Sequence, residues 1–169
     1  MNISGRRTRL QKILILTILV AIGLILFSLE NFLPQPIPGG KIGLSQLVTL
    51  LTLVWFGWAE AFLVVVLRVI LGNLLLGTLF NPVFLLAFGG ALVALLAMAV
   101  TYYRTKKFSV IGISVIGAFF HNSSQLLLAY LFFVRSVSIF WLFPYFILIS
   151  VISGLLIGFI ARLFLQRIF

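Results

Sequence analysis

Apolar runs of about 20 residues follow one another along the chain, and short polar or proline-bearing breaks separate them. A helix needs about 20 apolar residues to cross the hydrocarbon core of a bilayer, so the pattern is typical of a polytopic helical membrane protein. It predicts an all-α fold in which a single integral membrane domain, residues 1–169, contains six transmembrane helices. The predicted helices cover residues 13–29, 42–57, 61–80, 83–103, 109–134 and 140–164.

The longest break is a Pro/Gly segment at residues 30–41. Its prolines at positions 34, 36 and 38 each remove a backbone donor and favour an extended residue before them, so no helix continues through the segment. In so apolar a chain, such a loop is either a plain connector or the lid of a site. A second break, Trp58-Ala59-Glu60, is predicted to be either a tight turn or a kink.

Composition agrees with a membrane protein and excludes some kinds of site. The chain is 63% hydrophobic and 8% charged, whereas soluble domains carry about 25% charged residues. It contains no cysteine, which excludes disulfides and thiolate metal sites. We expect no metal and no cofactor, because the single histidine has neither a second histidine nor a carboxylate near it in sequence.

The net charge of +10 comes from twelve basic residues and two acids. With six spans, nine basic residues fall on the side of the two termini, while Lys41 and Arg135 fall on the other. Basic residues accumulate in cytoplasmic loops, so both termini, including the basic segment 1–12, are predicted to be cytoplasmic and loop 30–41 to be extracytoplasmic. This distribution accounts for the charge, and no nucleic-acid partner is expected.

Arg68 is predicted to lie inside the third span, where an unpaired cation is energetically costly. It is either a salt-bridged or snorkelling residue, or an anion-binding residue that faces a cavity. Glu60 is the nearest acid in sequence, but two helical turns separate it from Arg68, so a direct pair is not expected.

His121, Asn122 and Gln125 form a second polar group near the middle of the fifth predicted helix. Positions 121 and 125 are one turn apart and 122 lies beside them, so all three are predicted to share one helix face. Polar groups at that depth need hydrogen-bond partners. They are either a structural network between helices or part of a ligand site at the depth of Arg68.

Four further candidate contacts flank the Pro/Gly segment: Glu30, Asn31, Lys41 and Gln46. Gly-Gly-Lys before a helix resembles half of a phosphate-binding loop, but the Walker spacing is missing, so nucleotide hydrolysis is not expected. Glu30 and Asn31 are alternatively local caps or ion-pair partners.

The chain is not predicted to be an enzyme. It has no aspartate, and its two glutamates and one histidine are scattered along the sequence. No acid pair, nucleophile–base pair or magnesium-binding acidic motif is therefore visible.

Three groups of residues point to a known family. They are Leu29-Glu30-Asn31 followed by Pro34, Pro36, Pro38-Gly39 and Lys41-Ile42-Gly43-Leu44; Leu67-Arg68-Val69 with Gly89-Gly90; and Gly112-Ile113-Ser114 through Gly117-Ala118-Phe119-Phe120-His121-Asn122 with Gln125. Over about residues 29–160, they resemble a small bacterial membrane family labelled heptaprenyl diphosphate synthase component I and also Gx transporter family. Gln46 stands where the resemblance leads us to expect Asn.

The transporter label implies a six-helix bundle similar to the substrate-binding S components of energy-coupling factor (ECF) transporters. It implies a binding subunit for uptake of a small anionic, vitamin-like or isoprenoid-like solute, working in the bacterial cytoplasmic membrane with a coupling subunit and ATPases. The synthase label implies a non-catalytic accessory subunit in heptaprenyl diphosphate or quinone synthesis, since prenyl elongation needs aspartate-rich motifs that this chain lacks. Both labels are compatible with contact to membrane lipid and with a ligand cavity built from the candidate residues. Those residues are Arg68, His121, Asn122, Gln125, Lys41, Gln46, Glu30 and Asn31.

Overall fold

The computed structural model describes residues 9–32, 43–105 and 108–168, and every regular element within these ranges is helical. The predicted all-α fold with six helices is confirmed. The π-helical turn Tyr130–Val134 continues α5, and the 3-10 segment Val137–Leu142 precedes α6. The six helices are α1 Arg9–Phe32, α2 Gln46–Phe56, α3 Trp58–Leu75, α4 Pro82–Arg104, α5 Val110–Ala129 and α6 Phe143–Ile168.

Five of the helical stretches are long and apolar enough to cross a membrane, so the chain is a multi-pass membrane protein. The exception is α2, which has 11 residues and is therefore only about 16 Å long, roughly half the thickness of the hydrocarbon core. It begins later than the predicted residue 42, because Gly43 to Ser45 form a turn in which the Gly43 carbonyl accepts from the Gln46 amide at 2.8 Å.

The chain reverses direction at Gly57, between α2 and α3. Gly57 has φ 97° and ψ −170°, a conformation that residues with a Cβ rarely adopt. The predicted break at Trp58-Ala59-Glu60 is thus a turn rather than a kink, but it is one residue long and lies at Gly57. Trp58 and Glu60 already belong to the first turn of α3.

Contacts with α1 establish this reversal. Ser45 bonds to Glu30, and Val48 lies against Gly23, so α2 runs antiparallel to α1. In contrast, α3 runs parallel to α1, because three contacts follow the same order along both helices. These contacts are Lys12–Glu60, Gly23–Arg68 and Phe27–Gly72.

Glycines bring α4, α5 and α6 together as an antiparallel layer. A Cβ at Gly154 of α6 would lie 2.6 Å from Val115 Cα of α5, and a Cβ at Gly158 would lie 2.7 Å from Ile111 Cα. These two glycines therefore let the backbones of α5 and α6 approach closely. Gly90 of α4 similarly lies against Gln125 of α5.

The directions of the helices place most of the described basic residues at one end of the bundle. The hydroxyl of Tyr103, at the end of α4, lies beside Gly57, so this end of α4 is level with the Lys12–Glu60 pair. Because α5 and α6 alternate in direction, α6 finishes at the same level. We call this the basic end of the bundle, and its described basic residues are Arg9, Lys12, Arg104 and Arg162. Arg135, which follows α5, lies at the opposite end.

Candidate functional site

A polar cavity of about 20 Å³ lies inside the bundle, between α1, α2, α3, α4 and α5. A volume of this size holds about one water molecule. We call it the polar cavity. Its walls are Phe27, Glu30, Gly43, Ser45, Gln46, Thr49, Arg68, Val69, Ala87, Ala91 and His121. Four of the eight sequence-predicted site residues are therefore in its walls: Glu30, Gln46, Arg68 and His121.

Arg68 contributes the cation of the described cavity walls. Its side chain is 3% exposed, and within the described ranges its Nε and Nη1 atoms have no hydrogen-bond partner. Gly23 of α1 leaves space for the aliphatic part of the Arg68 side chain, because a Cβ at this position would lie 3.0 Å from Arg68 Cδ. A buried guanidinium whose N–H groups lack acceptors is energetically costly.

Glu30 is the acid that shares this cavity with Arg68. It is 4% exposed, its Oε2 accepts a hydrogen bond from Ser45 Oγ at 3.2 Å, and its charge attracts the guanidinium. The absence of a direct Glu60–Arg68 pair agrees with expectation, since Glu60 forms an ion pair with Lys12 at the basic end. Ser45 directly precedes α2, but its hydroxyl bonds to Glu30 and does not cap the helix.

Gln46 and Thr49 bring the first turn of α2 into the cavity. They are 6% and 1% exposed, and Gln46 Nε2 and Thr49 Oγ1 have no hydrogen-bond partner among the residues described. Gln46 reaches α5, where a Cβ at Gly117 would lie 3.3 Å from Nε2. Thr49 is not among the residues predicted from the sequence, although its spacing of three residues from Gln46 places it on the same helix face.

His121 lines the cavity from α5, with its ring against Gly90 of α4. Gln125 lies one turn further along and also packs on Gly90, but it is not part of the cavity wall. Its side chain is buried, and its Oε1 has no hydrogen-bond partner in the described part of the chain. His121 and Glu30 are the metal-ligand types in the described wall, and two such groups are fewer than the three protein ligands of a typical catalytic zinc site.

Asn122 faces a different neighbour, so the expectation that it shares a face with His121 and Gln125 is wrong. Its Nδ2 donates to Ser150 Oγ of α6 at 2.8 Å, and Ser150 Oγ donates to the Phe146 carbonyl at 2.6 Å. Consecutive helix residues point about 100° apart, which is enough to turn Asn122 away from the cavity and towards α6.

Two predicted contacts cannot be placed at the cavity. Lys41, together with positions 33–42, lies outside the described residues. The backbone of Asn31 belongs to α1, and its side chain is not described. Both remain predictions from the sequence.

Comparison with known proteins gives one match. A family model described as heptaprenyl diphosphate synthase component I matches residues 19–164. Neither the comparison with curated proteins nor that with solved structures gave a match. The likeness to ECF S components therefore stays a prediction. The family model covers most of the 169 residues, and the chain belongs to the heptaprenyl diphosphate synthase component I family.

Proposed function

We propose that this protein is a non-catalytic membrane subunit that binds a small ligand in the polar cavity and works together with partner chains. The observation that carries the proposal is the set of buried polar groups around Arg68. Arg68, Gln46 and Thr49 are each more than nine-tenths buried, and each keeps at least one polar atom without a partner among the described residues. Buried polar groups in native proteins are normally satisfied, so three neighbouring residues with such atoms around one cavity favour a polar occupant there, either a ligand or ordered water.

A non-catalytic role follows from the residues available. The whole chain has two acidic residues, and the structure puts them in different places: Glu30 in the cavity wall and Glu60 at the basic end. Prenyl elongation needs aspartate-rich motifs that hold magnesium and diphosphate, and this chain contains no aspartate. We therefore assign any catalysis to another chain.

The family description favours a role in heptaprenyl diphosphate synthesis, with this chain as the accessory component. To test it, the tagged chain is purified from native membranes, and the chain length of the prenyl products is measured with and without it. The proposal expects an aspartate-rich prenyltransferase to co-purify, and deletion to lower the yield or length of the product. Unchanged products after deletion would contradict this role.

The enclosed position of the cavity favours a second candidate, the binding subunit of an uptake transporter. The polar groups lie within a helix bundle and not on a surface that a soluble enzyme can reach. This candidate expects an integral coupling subunit and ATPases to co-purify, and solute accumulation to require them and ATP. Accumulation in proteoliposomes that contain the purified chain alone would rule it out.

We further propose that the basic end faces the cytoplasm of the bacterial cell, because basic residues are enriched on that side of membrane proteins. The chain lacks cysteine, so single introduced cysteines report topology without background. Thr105 and Ser136 are exposed at opposite ends of the bundle. Thr105→Cys should react with an impermeant maleimide only after lysis, and Ser136→Cys in intact cells. The reverse pattern would invert the assignment.

A further inference from the structure

The Arg68, Gln46 and Thr49 atoms of the polar cavity that have no hydrogen-bond partner among the described residues are donors or can act as donors. Within the described walls, Arg68 Nε and Nη1 and Gln46 Nε2 are donors without acceptors, and the Thr49 hydroxyl can donate as well. The cavity also receives the start of α2, whose first backbone amides carry partial positive charge. An occupant that satisfies these groups must supply acceptor oxygens.

The charges of the described wall limit how negative that occupant is. Arg68 contributes one positive charge, and Glu30 contributes one negative charge beside it. A diphosphate would bring two or more negative charges next to the Glu30 carboxylate, and Arg68 is the one cation that the described wall residues, which do not include positions 33–42, offer to balance them. Phosphate sites normally gather several Arg, Lys or metal charges, so the cavity suits a singly charged group.

We infer that the polar cavity binds the carboxylate-type end of a small monoanion, and that this group takes the position of the Glu30 carboxylate beside Arg68. This inference rests on the ligand-binding role proposed above and specifies its ligand class. The cavity is about 20 Å³, too small for a second carboxylate while Glu30 fills its place. When the ligand carboxylate replaces the Glu30 carboxylate, the positive charge of Arg68 still has one negative charge beside it.

The two acids of the chain provide a matched pair of variants. Glu30→Gln removes the competing charge inside the cavity, whereas Glu60→Gln removes the same charge from the Lys12 pair outside it. Affinities are measured by calorimetry on the purified full chain for formate, acetate and benzoate, with acetamide and benzamide as uncharged controls. Inorganic diphosphate at matched ionic strength is the competing probe.

We expect Glu30→Gln to bind the monocarboxylates at least threefold more tightly than the wild type, and Glu60→Gln to remain within twofold of it. Arg68→Ala should bind them more than tenfold more weakly, and the amides should not bind. Equal affinities of Glu30→Gln and Glu60→Gln would overturn the inference, and so would tenfold tighter binding of diphosphate than of every monocarboxylate. If Arg68→Ala does not fold, the comparison of the two glutamate variants decides alone.

The outcome also separates this inference from the subunit role on which it rests. If partner chains co-purify and no monocarboxylate binds, the ligand class is wrong and the subunit role stands. If monocarboxylates bind through Arg68 but no partner or deletion effect is found, the ligand class stands and both partner roles fail.

Discussion

Two regions of the bundle, the α5–α6 interface and the polar cavity, bury polar side chains from neighbouring positions of α5. The hydrogen bonds of these side chains differ between the two regions. In the α5–α6 interface, Asn122 donates to Ser150, which in turn donates to a backbone carbonyl of α6. In the polar cavity, reached by His121 one residue earlier, Arg68 and Gln46 leave N–H groups without acceptors in the part of the chain described. Asn122 Oδ1 has no partner among the described residues, so the two regions differ in whether their N–H donors find acceptors. A buried donor that reaches an acceptor stabilises one packing arrangement, whereas donors left without acceptors favour binding of a ligand that supplies them.

The glycines of the α5–α6 interface and those at the polar cavity also differ in what they contact. In the α5–α6 interface, Gly154 and Gly158 lie against the backbone of α5, which cannot move without shifting the helix. At the cavity, Gly23 lies against the middle of the Arg68 side chain, and Gly117 against the end of Gln46. The interface glycines thus meet backbone, whereas the cavity glycines meet side chains, which can shift at a lower cost than a helix backbone.

The largest effect is expected at the interface. Gly158→Leu places a side chain where even a Cβ would be 2.7 Å from Ile111 Cα, so α5 and α6 must separate. We expect a loss of about 3 kcal/mol in the free energy of unfolding, at the upper end of the usual cost of overpacking. The melting temperature of the detergent-purified protein measures it.

Val151→Leu is the matched control, since it adds bulk to the outward face of the same helix, at a position 39% exposed. It should change the free energy of unfolding by less than about 0.5 kcal/mol. If both variants melt alike, close packing at Gly158 does not limit the stability of the α5–α6 interface.

The next effect is on binding. Arg68→Ala should weaken binding of the monocarboxylate probes by more than tenfold, because a charge-assisted contact in a buried site is worth about 1.5–3 kcal/mol. The change removes the cost of burying the guanidinium but leaves the buried Glu30 carboxylate without that cation, so a loss of stability is expected beside the loss of binding. Calorimetry and melting temperature are measured on the same sample.

Asn122→Ala is the corresponding change in the α5–α6 interface. It should cost about 0.5–1.5 kcal/mol of stability and leave the affinity unchanged, because its amide bonds to Ser150 outside the cavity wall. The distinction between the polar cavity and the α5–α6 interface is wrong if Arg68→Ala lowers the melting temperature but binds the monocarboxylates like the wild type. It is also wrong if Asn122→Ala weakens monocarboxylate binding.

The helices could be predicted from the sequence because apolar runs and prolines act locally. Their ends were less predictable: the turn at Gly43 to Ser45 shortens α2, and the reversal is at Gly57 rather than at the three residues after it. Arg68 was recognisable as a site residue because a cation inside an apolar run has few structural uses.

Which side chains meet Arg68 was harder to predict, because that depends on how distant helices pack. Helical spacing grouped His121 with Asn122, and only the position of α6 shows that the Asn122 amide N–H donates to Ser150 instead of facing the cavity. The two glutamates could be told apart from the sequence only in outline: no Glu60–Arg68 pair is expected, and Glu30 is a predicted cavity residue, but their contacts depend on helix packing. The nearer one, Glu60, pairs with α1, while Glu30, far away in sequence, lies in the cavity wall.

The smallest effect is expected for the other glutamate. The Lys12–Glu60 pair joins α1 to α3 at the basic end, with 35% and 21% of the two side chains exposed, so its charges are partly screened. Glu60→Gln should lower the free energy of unfolding by less than about 1 kcal/mol, typical of an accessible ion pair, and the difference should shrink in 0.5 M salt. Melting temperatures at low and high salt measure this for Glu60→Gln, Lys12→Gln and the double variant. The double variant should be no less stable than either single one, because each single change leaves one charge without its partner. A large, salt-independent loss, or a change in monocarboxylate affinity, would place Glu60 with the polar cavity and remove the distinction between the two acids.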